Sequence, residues 1–120
     1  MIEKININEK LSLFDDYWNP RVVGELNAQY VKLAKLKGEF VWHKHDDEDE
    51  LFYVLKGALE MEFRDKRIEI RENEMIIVPR GIEHRSIALN EVAVMLFEPK
   101  TTINTGNTVN EMTRKNLDQI

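Results

Sequence analysis

The sequence predicts an all-β sandwich or barrel, built from about eight or nine short strands between residues 21 and 98. Apolar and polar residues alternate with a period of two over much of this range, and no part of it repeats its apolar residues at helical spacing. Turn-forming residues recur about every eight to twelve positions. With 120 residues the chain has the size of one domain. We divide it into a covering segment, a barrel and a tail: residues 1–20, 21–100 and 101–120.

The covering segment is predicted to begin with a short helix. Asn8 stands ahead of Glu9 as a possible N-cap, and Pro20 would interrupt any helix that continued so far. The segment also carries five large apolar residues: Leu11, Leu13, Phe14, Tyr17 and Trp18. Apolar surface of this density needs cover, either from the domain's own sheet or from a partner subunit.

The first two predicted strands flank a glycine. Residues 30–37 alternate imperfectly, which indicates a strand with a bulge or a switch between sheets, and Gly38 ends it. Residues 40–45 then predict a strand that places His43 and His45 on the same face, since side chains two positions apart point the same way.

The central strands form the clearest part of the pattern. Residues 51–55 are apolar on both faces, so a second layer or another subunit should cover them. Residues 59–64 and 67–71 alternate between apolar and charged side chains on either side of Asp65-Lys66, which predicts a hairpin.

Three more strands complete the predicted sheet. Residues 75–78 form a short buried strand that Pro79 stops. Residues 84–88 and 92–97 form the last two, joined by a turn at Leu89-Asn90.

The tail is polar and leaves two structures open. Thr108 and Glu111 have the spacing of a capping box, and Val109, Met112 and Leu117 would give a final helix a thin apolar stripe. The alternative is a frayed terminus, because so few apolar residues anchor it.

Charge and composition exclude several functions. Seventeen basic and 22 acidic residues give a net charge of −5 without a basic cluster, so we expect neither nucleic acid nor a membrane as a partner. The chain has no cysteine, which excludes a disulfide or a thiolate metal site. It shows neither a signal-peptide pattern nor a run of 18 apolar residues, so a cytoplasmic location is expected.

All three histidines of the chain lie in two short clusters. His43 and His45 are one residue apart, and Glu50 follows five residues later. An extended strand and its following turn can present such residues to a single point as metal ligands. His84 lies in the second cluster, behind the turn formed by residues 79–81.

Glu50 differs from the acidic residues that precede it. Its strand parity places it inward with Phe52 and Val54, whereas residues 46–49 read as a solvated acidic loop. Glu48 is the alternative ligand if this parity is misjudged. The aromatic residues Trp42, Trp18 and Tyr17 are expected in the core or an interface rather than stacked on a ligand.

These residues resemble the two motifs of the cupin superfamily. The motifs are Gly38-x4-His43-x-His45-x4-Glu50-x6-Gly57 and Asn73-x5-Pro79-x-Gly81-x2-His84. Compared with the family pattern, one residue is missing before His43, Asn73 stands in place of Gly, and Ala88 replaces a closing Asn. The resemblance covers residues 30–98 and implies a double-stranded β-helix, or jelly-roll barrel. In that family His43, His45, Glu50 and His84 would bind one divalent metal.

The resemblance leaves the metal open. Three imidazoles and one carboxylate suit Fe, Mn, Zn, Ni or Co, and four protein ligands around an octahedral ion leave about two positions for other ligands. The segment 97–107 also looks like that of small single-domain cupins described as similar to mannose-6-phosphate isomerase.

Three functions follow from this interpretation. The first is a small metal-dependent enzyme, isomerase- or dioxygenase-like, that acts on a small organic molecule. The second is a non-catalytic binding or sensing module with a structural metal, and the third is a scaffold that has lost its metal. A homodimer is expected, because residues 11–18 and 51–55 need more cover than one chain readily supplies.

Overall fold

A computed structural model describes residues 2–120. Within this range the chain forms one short helix and seven strands: α1 Ile7–Leu11, β1 Arg21–Leu26, β2 Gln29–Glu39, β3 Glu50–Lys56, β4 Ala58–Phe63, β5 Arg67–Arg71, β6 Met75–Val78 and β7 His84–Pro99. The strands are hydrogen-bonded in the order β1-β2-β7-β3-β6, and β4 joins β7 to β5. This confirms the predicted all-β jelly-roll fold, although the sheet does not close into a barrel.

The longest strand, β7, organises the sheet. It pairs with β2, β3 and β4, so three neighbours depend on its course. The prediction of two strands with a turn at Leu89-Asn90 is wrong. Gly38 of β2 pairs with Ala88 and Leu36 pairs with Val92, so both halves of β7 follow the same neighbour in the same direction. The extra residues form a bulge, which bends the strand without reversing it.

The hairpin predicted around Asp65-Lys66 is confirmed. Leu59 of β4 pairs with Ile70 of β5, and the turn is closed by a hydrogen bond of 2.8 Å from the Phe63 amide to the Lys66 carbonyl. The predicted short strand forms as β6, but it is not the buried strand expected, because Met75 and Ile77 are exposed and only Val78 is buried.

The segment around the first two histidines differs from the prediction of a strand. Residues 40–49 lie outside the named strands, and His43 makes only an isolated bridge to His84. Gly38, with φ of +90°, does not end β2, which continues to Glu39. The chain leaves the sheet there and crosses towards the start of β7.

The covering segment packs on the sheet of its own chain. Leu11 and Phe14 are buried in a cluster with Val23, Leu33 and Ala93, on the outer face of β1, β2 and β7. The helix begins two residues earlier than predicted, because Asn6 rather than Asn8 caps it by accepting a hydrogen bond of 3.0 Å from the Glu9 amide.

The main core lies on the opposite, inner face of the sheet. Twelve buried residues form it: Ala34, Leu36, Phe52, Val54, Leu59, Met61, Ile70, Val78, Ala88, Val92, Val94 and Leu96. Burying each of the larger side chains contributes about 1.5–3 kcal/mol. Across the described residues, no helix is long and apolar enough to cross a membrane.

The tail contains no helix within the described residues, so the helix proposed for it is wrong. Thr108 caps no helix here, and its hydroxyl instead donates a hydrogen bond of 3.0 Å to the carbonyl of Trp42. The Asn104 side chain instead ties two parts of the tail together. Its amide donates to the Met112 carbonyl at 2.9 Å, and its oxygen accepts from the Arg114 amide at 2.8 Å.

Both tryptophans pack against side chains of their own chain. Trp18 is half-buried and stacks on Phe40 with 4.8 Å between ring centroids. The ring of Trp42 lies 3.8 Å from the guanidinium of Arg64 and 5.2 Å from that of Arg85.

Candidate metal centre

The structure brings His43, His45, Glu50 and His84 together. One ligand atom from each lies within 4.8 Å of the others, and each residue is at most 4% exposed. The two motifs are joined directly by backbone. The His43 amide donates to the His84 carbonyl at 3.0 Å, and the His84 amide donates to the His43 carbonyl at 2.9 Å.

Two of the imidazoles are oriented by backbone carbonyls. The Nδ1 atom of His43 lies 2.9 Å from the Val41 carbonyl oxygen, and that of His84 lies 2.9 Å from the Ile82 carbonyl oxygen. Because a carbonyl can only accept, we assign the proton to Nδ1 in both rings. Each Nε2 then has a free lone pair, as a metal-binding histidine requires.

The ring nitrogens of His45 indicate whether a cation fits between the four side chains. Its Nε2 lies 3.3 Å from Glu50 Oε1, but the geometry is not that of a hydrogen bond. Neither ring nitrogen has a hydrogen-bond partner in the range that the structure describes. Buried polar atoms in proteins are nearly always partnered. A divalent transition metal would satisfy a ring nitrogen of His45 and would suit the other three donors.

The protonation states also fit a cation. Burial by itself raises the pKa of Glu50, but the ring nitrogens of His45 and His84, when they act as donors to it, outweigh burial and hold that pKa well below its usual value. A bound cation would replace them as the positive partner of the carboxylate. Burial, and then the neighbouring His84, lower the pKa of His43 to about 4. An ionised carboxylate and a neutral imidazole are the forms that bind metals.

Acidic residues just before Glu50 make hydrogen bonds outside the candidate metal centre. Glu48, the alternative ligand, is outside the cluster and accepts a hydrogen bond of 2.9 Å from the Thr101 hydroxyl. Asp49 accepts one of 2.9 Å from the Arg80 amide. Glu50 is buried with Phe52 and Val54, as its parity predicted.

The turn that precedes His84 is attached to the first motif. The Gly81 amide donates a hydrogen bond of 2.7 Å to the His45 carbonyl, and Gly81 has a φ of +79°. Glycine adopts this conformation without strain, so the turn can direct the Gly81 amide to the His45 carbonyl.

The tail holds the loop of the first motif in place, a role that the sequence analysis missed. Asn107 and Lys44 exchange two hydrogen bonds, of 3.0 and 3.1 Å, and Thr108 bonds to Trp42. These residues flank His43. No local pattern indicated the contact, because its partners are 63 and 66 residues apart.

We expect Gly106→Ala to weaken both the fold and the metal centre. An added Cβ would overlap the Lys44 carbonyl oxygen and lie 3.2 Å from Cδ2 of His43, so the loop must shift. Overpacking of this kind costs about 1–3 kcal/mol, to be measured by urea denaturation together with a metal titration. Gly38→Ala is the control. It also has positive φ but meets nothing within 4 Å, so it should leave metal affinity unchanged.

A buried ion pair lies beside the candidate ligands. Lys32 and Glu98 are 1% and 2% exposed, and the Lys32 ammonium donates to Glu98 Oε1 at 2.8 Å. No described residue forms a hydrogen bond with Glu98 Oε2. Burial, and then the charge of Glu50, raise the pKa of Glu98 well above its usual value, while Lys32 opposes this. The sequence contained one indication that Lys32 is buried. In a strand, Lys32 lies on the same face as the apolar residues Ala34 and Leu36.

A small cavity opens next to the cluster. Its volume is about 40 Å³, enough for a few water-sized groups. His43, Glu50 and Glu98 supply polar groups to its wall. Most of the rest is apolar, including Trp18, Leu36, Phe40, Phe52, Val94 and Leu96.

Comparison with known proteins agrees with this architecture. A family model described as the cupin domain matches residues 29–100, more than half of the chain. The chain belongs to the cupin family. This cupin is 47% identical to a solved cupin-2 domain protein from Shewanella frigidimarina NCIMB 400, with a TM-score of 0.79 over 80% of this chain and 94% of that one.

Two curated relatives each match this cupin over only part of their length. It is 42% identical over 65 residues to the uncharacterized protein YdbB of Bacillus subtilis (strain 168), covering 53% of this chain and 58% of that one. It is 34% identical over 94 residues to an acireductone dioxygenase of Drosophila pseudoobscura pseudoobscura, covering 59% of this chain and 49% of that one. This cupin therefore spans about half the length of each.

Proposed function

We propose that this cupin is a small metal-dependent enzyme of the dioxygenase type, acting on a small organic molecule. One divalent transition metal would be held by His43, His45, Glu50 and His84. The observation that carries the proposal is the His45 ring, which is buried without a hydrogen-bond partner beside an ionised Glu50. Such a metal, when bound, supplies Lewis-acid or redox chemistry at the coordination positions that the protein leaves open.

The residues of the chain would prepare the site in three ways. The Val41 and Ile82 carbonyls hold two imidazoles in the orientation that the metal needs. The ionised Glu50 balances part of the metal's charge. The apolar wall of the cavity limits access of water, which strengthens electrostatic interactions within the site.

The dioxygenase type is favoured over the isomerase type by the similarity to acireductone dioxygenase. The cavity supports a compact substrate, because its volume is only about 40 Å³. The Glu98 side chain also restricts which substrates fit. Its unpartnered Oε2 would be satisfied by a substrate with a hydroxyl group next to the atoms that face the metal.

Oxygen uptake tests this proposal. Protein purified without chelator or nickel affinity resin would be loaded anaerobically with Fe(II), Mn(II), Co(II), Ni(II) or Zn(II), then offered acireductone and other compact enediols and diols. We expect substrate-dependent consumption of oxygen with at least one redox-active metal. The same loading of His45→Ala should give none.

The alternative is a binding or sensing cupin with a structural metal. It would be supported if metal-loaded protein consumed no oxygen and depleted no compound, while one of the compounds still raised its melting temperature. This outcome would overturn the enzymatic proposal without affecting the metal centre.

A homodimer remains part of the proposal, on a different surface from the one first considered. Leu11 and Phe14 are covered by the chain's own sheet. Large apolar residues are instead exposed on and around the edge strand β6: Ile68, Met75, Ile77 and Ile82. An exposed apolar edge is well suited to pair with a second copy.

We therefore expect light scattering to give about twice the chain mass of 14.2 kDa at micromolar concentration. Ile77→Lys should shift the mass towards the monomer, because it places a charge on the β6 edge. Leu89→Lys is the control, since Leu89 is 79% exposed on β7. Monomeric wild-type protein would contradict the expectation.

A further inference from the structure

A second pocket, of about 240 Å³, lies apart from the metal centre. The strands β1 and β2, the segment after β7 and the end of the tail all contribute to it. The tail is fixed there by hydrogen bonds of 2.9 and 3.0 Å between the backbone of Val22 and residues 118 and 120. None of the four candidate metal ligands lines the pocket.

The pocket is positively charged in a chain whose net charge is −5. Within the described part of the chain, no carboxylate lines it and four basic residues do: Lys32, Lys100, Arg114 and Lys115. Lys32 is paired with Glu98, and Lys100 lies 3.3 Å from a carboxylate oxygen of Glu25.

The other two positive charges are uncompensated. Between residues 2 and 120, neither Arg114 nor Lys115 takes part in an ion pair, and the Arg114 guanidinium donates only to the carbonyls of Glu111 and Thr113. Two of the four charges that line the pocket therefore remain available to an anion.

Thr102 gives an independent indication of a ligand. It lines the same pocket and is 6% exposed, and its Oγ1 has no hydrogen-bond partner among residues 2–120. A buried hydroxyl left unpartnered destabilises the fold. Hydroxyl, guanidinium and ammonium groups together are the donors that proteins use for phosphate and carboxylate.

We propose that this pocket binds the phosphate or carboxylate group of a small anionic molecule. Arg114 and Lys115 supply the charge, and Thr102 donates a hydrogen bond from its hydroxyl. The proposal concerns a site distinct from the metal centre and does not depend on the enzymatic activity proposed above.

The experiment uses the full chain and inorganic phosphate as the probe. Phosphate is titrated into the protein by calorimetry at constant ionic strength, with sodium chloride as the reference salt. We expect saturable binding at one site. Thr102→Val and Lys115→Ala should each weaken it about tenfold, as the loss of one charge-assisted hydrogen bond predicts.

Two features of the variants keep the test decisive. Thr102→Val removes a hydroxyl that has no partner within the protein, so the variant should fold with an unchanged or higher melting temperature. Lys37→Ala removes the same charge as Lys115→Ala from an exposed residue that does not line the pocket, and should leave phosphate affinity unchanged.

Titrations with acetate and citrate separate carboxylate from phosphate recognition. Tighter binding of either, lost in the same two variants, assigns the pocket to carboxylates. The proposal is overturned if none of the three anions binds beyond the chloride reference. It also fails if Thr102→Val binds as wild type, or if Lys37→Ala weakens binding as much as Lys115→Ala.

Discussion

His45→Ala is expected to abolish stoichiometric binding of a divalent transition metal. The variant removes the ligand whose ring nitrogens have no other partner. Affinity should fall by at least about 100-fold, since even residues that only orient a ligand cost about 10- to 100-fold when mutated. Elemental analysis of protein purified without chelator, followed by competition with a chromophoric chelator, measures the change.

Glu50 and Glu48 supply a matched pair for the same measurement. Glu50 is the first residue of β3 and faces the histidines, while Glu48 lies two residues earlier and bonds to Thr101. Glu50→Gln should lose metal nearly as completely as His45→Ala, and Glu48→Gln should bind as wild type. Retained stoichiometric metal in His45→Ala, or equal losses in the two glutamine variants, would show that the centre is built differently.

Lys32→Met is expected to destabilise the protein by about 3–5 kcal/mol, the usual cost of breaking a buried ion pair from one side. Methionine has a similar length, so the main loss is the positive charge beside Glu98. Glu98 would then be buried next to Glu50 without a compensating cation, so it must take up a proton to fold. Urea denaturation at neutral pH measures the free energy of unfolding.

The destabilisation should depend on pH in a defined direction. Without Lys32 the folded-state pKa of Glu98 lies still higher, so folding takes up a proton. The variant should therefore approach wild-type stability at acid pH and lose stability as the pH rises through that pKa. A loss that is independent of pH would mean that packing, rather than charge, is responsible.

Two further variants separate the pair from its surroundings. Lys32→Met combined with Glu98→Met replaces both charges with apolar groups and should recover most of the loss, since such replacements are often neutral or stabilising. Lys44→Met is the control, because Lys44 lies 3.6 Å from Asp46 in an exposed pair that is worth less than about 1 kcal/mol. A control as unstable as Lys32→Met would contradict the argument.

Local pattern was sufficient for much of the fold and for the choice among the acidic residues. The hairpin of β4 and β5 and the inward position of Glu50 both follow from a period of two, which is a property of neighbouring residues. The same rule failed at residues 40–45. There the alternation is real, but hydrogen bonds to the start of β7 and to the tail draw the chain out of the sheet.

The positions of distant partners were beyond the reach of any local rule. Lys32 and Glu98 are 66 residues apart and meet only because β2 and β7 pair in a particular register. The bulge in β7 looked like a turn, since one strand cannot reveal that both of its halves follow the same neighbour. The pocket around Thr102 likewise exists only where the tail returns to β1.

The sequence by itself determined which residues are candidate metal ligands, because histidines are rare here and their spacing is a local property of the chain. Only the tertiary structure decided that His84 reaches His43 and His45, through backbone bonds between segments about forty residues apart. It also decided that a buried ion pair and a positively charged pocket exist. The ion pair depends on the register between β2 and β7, and the pocket depends on the return of the tail to β1. Packing between residues far apart in the sequence sets both.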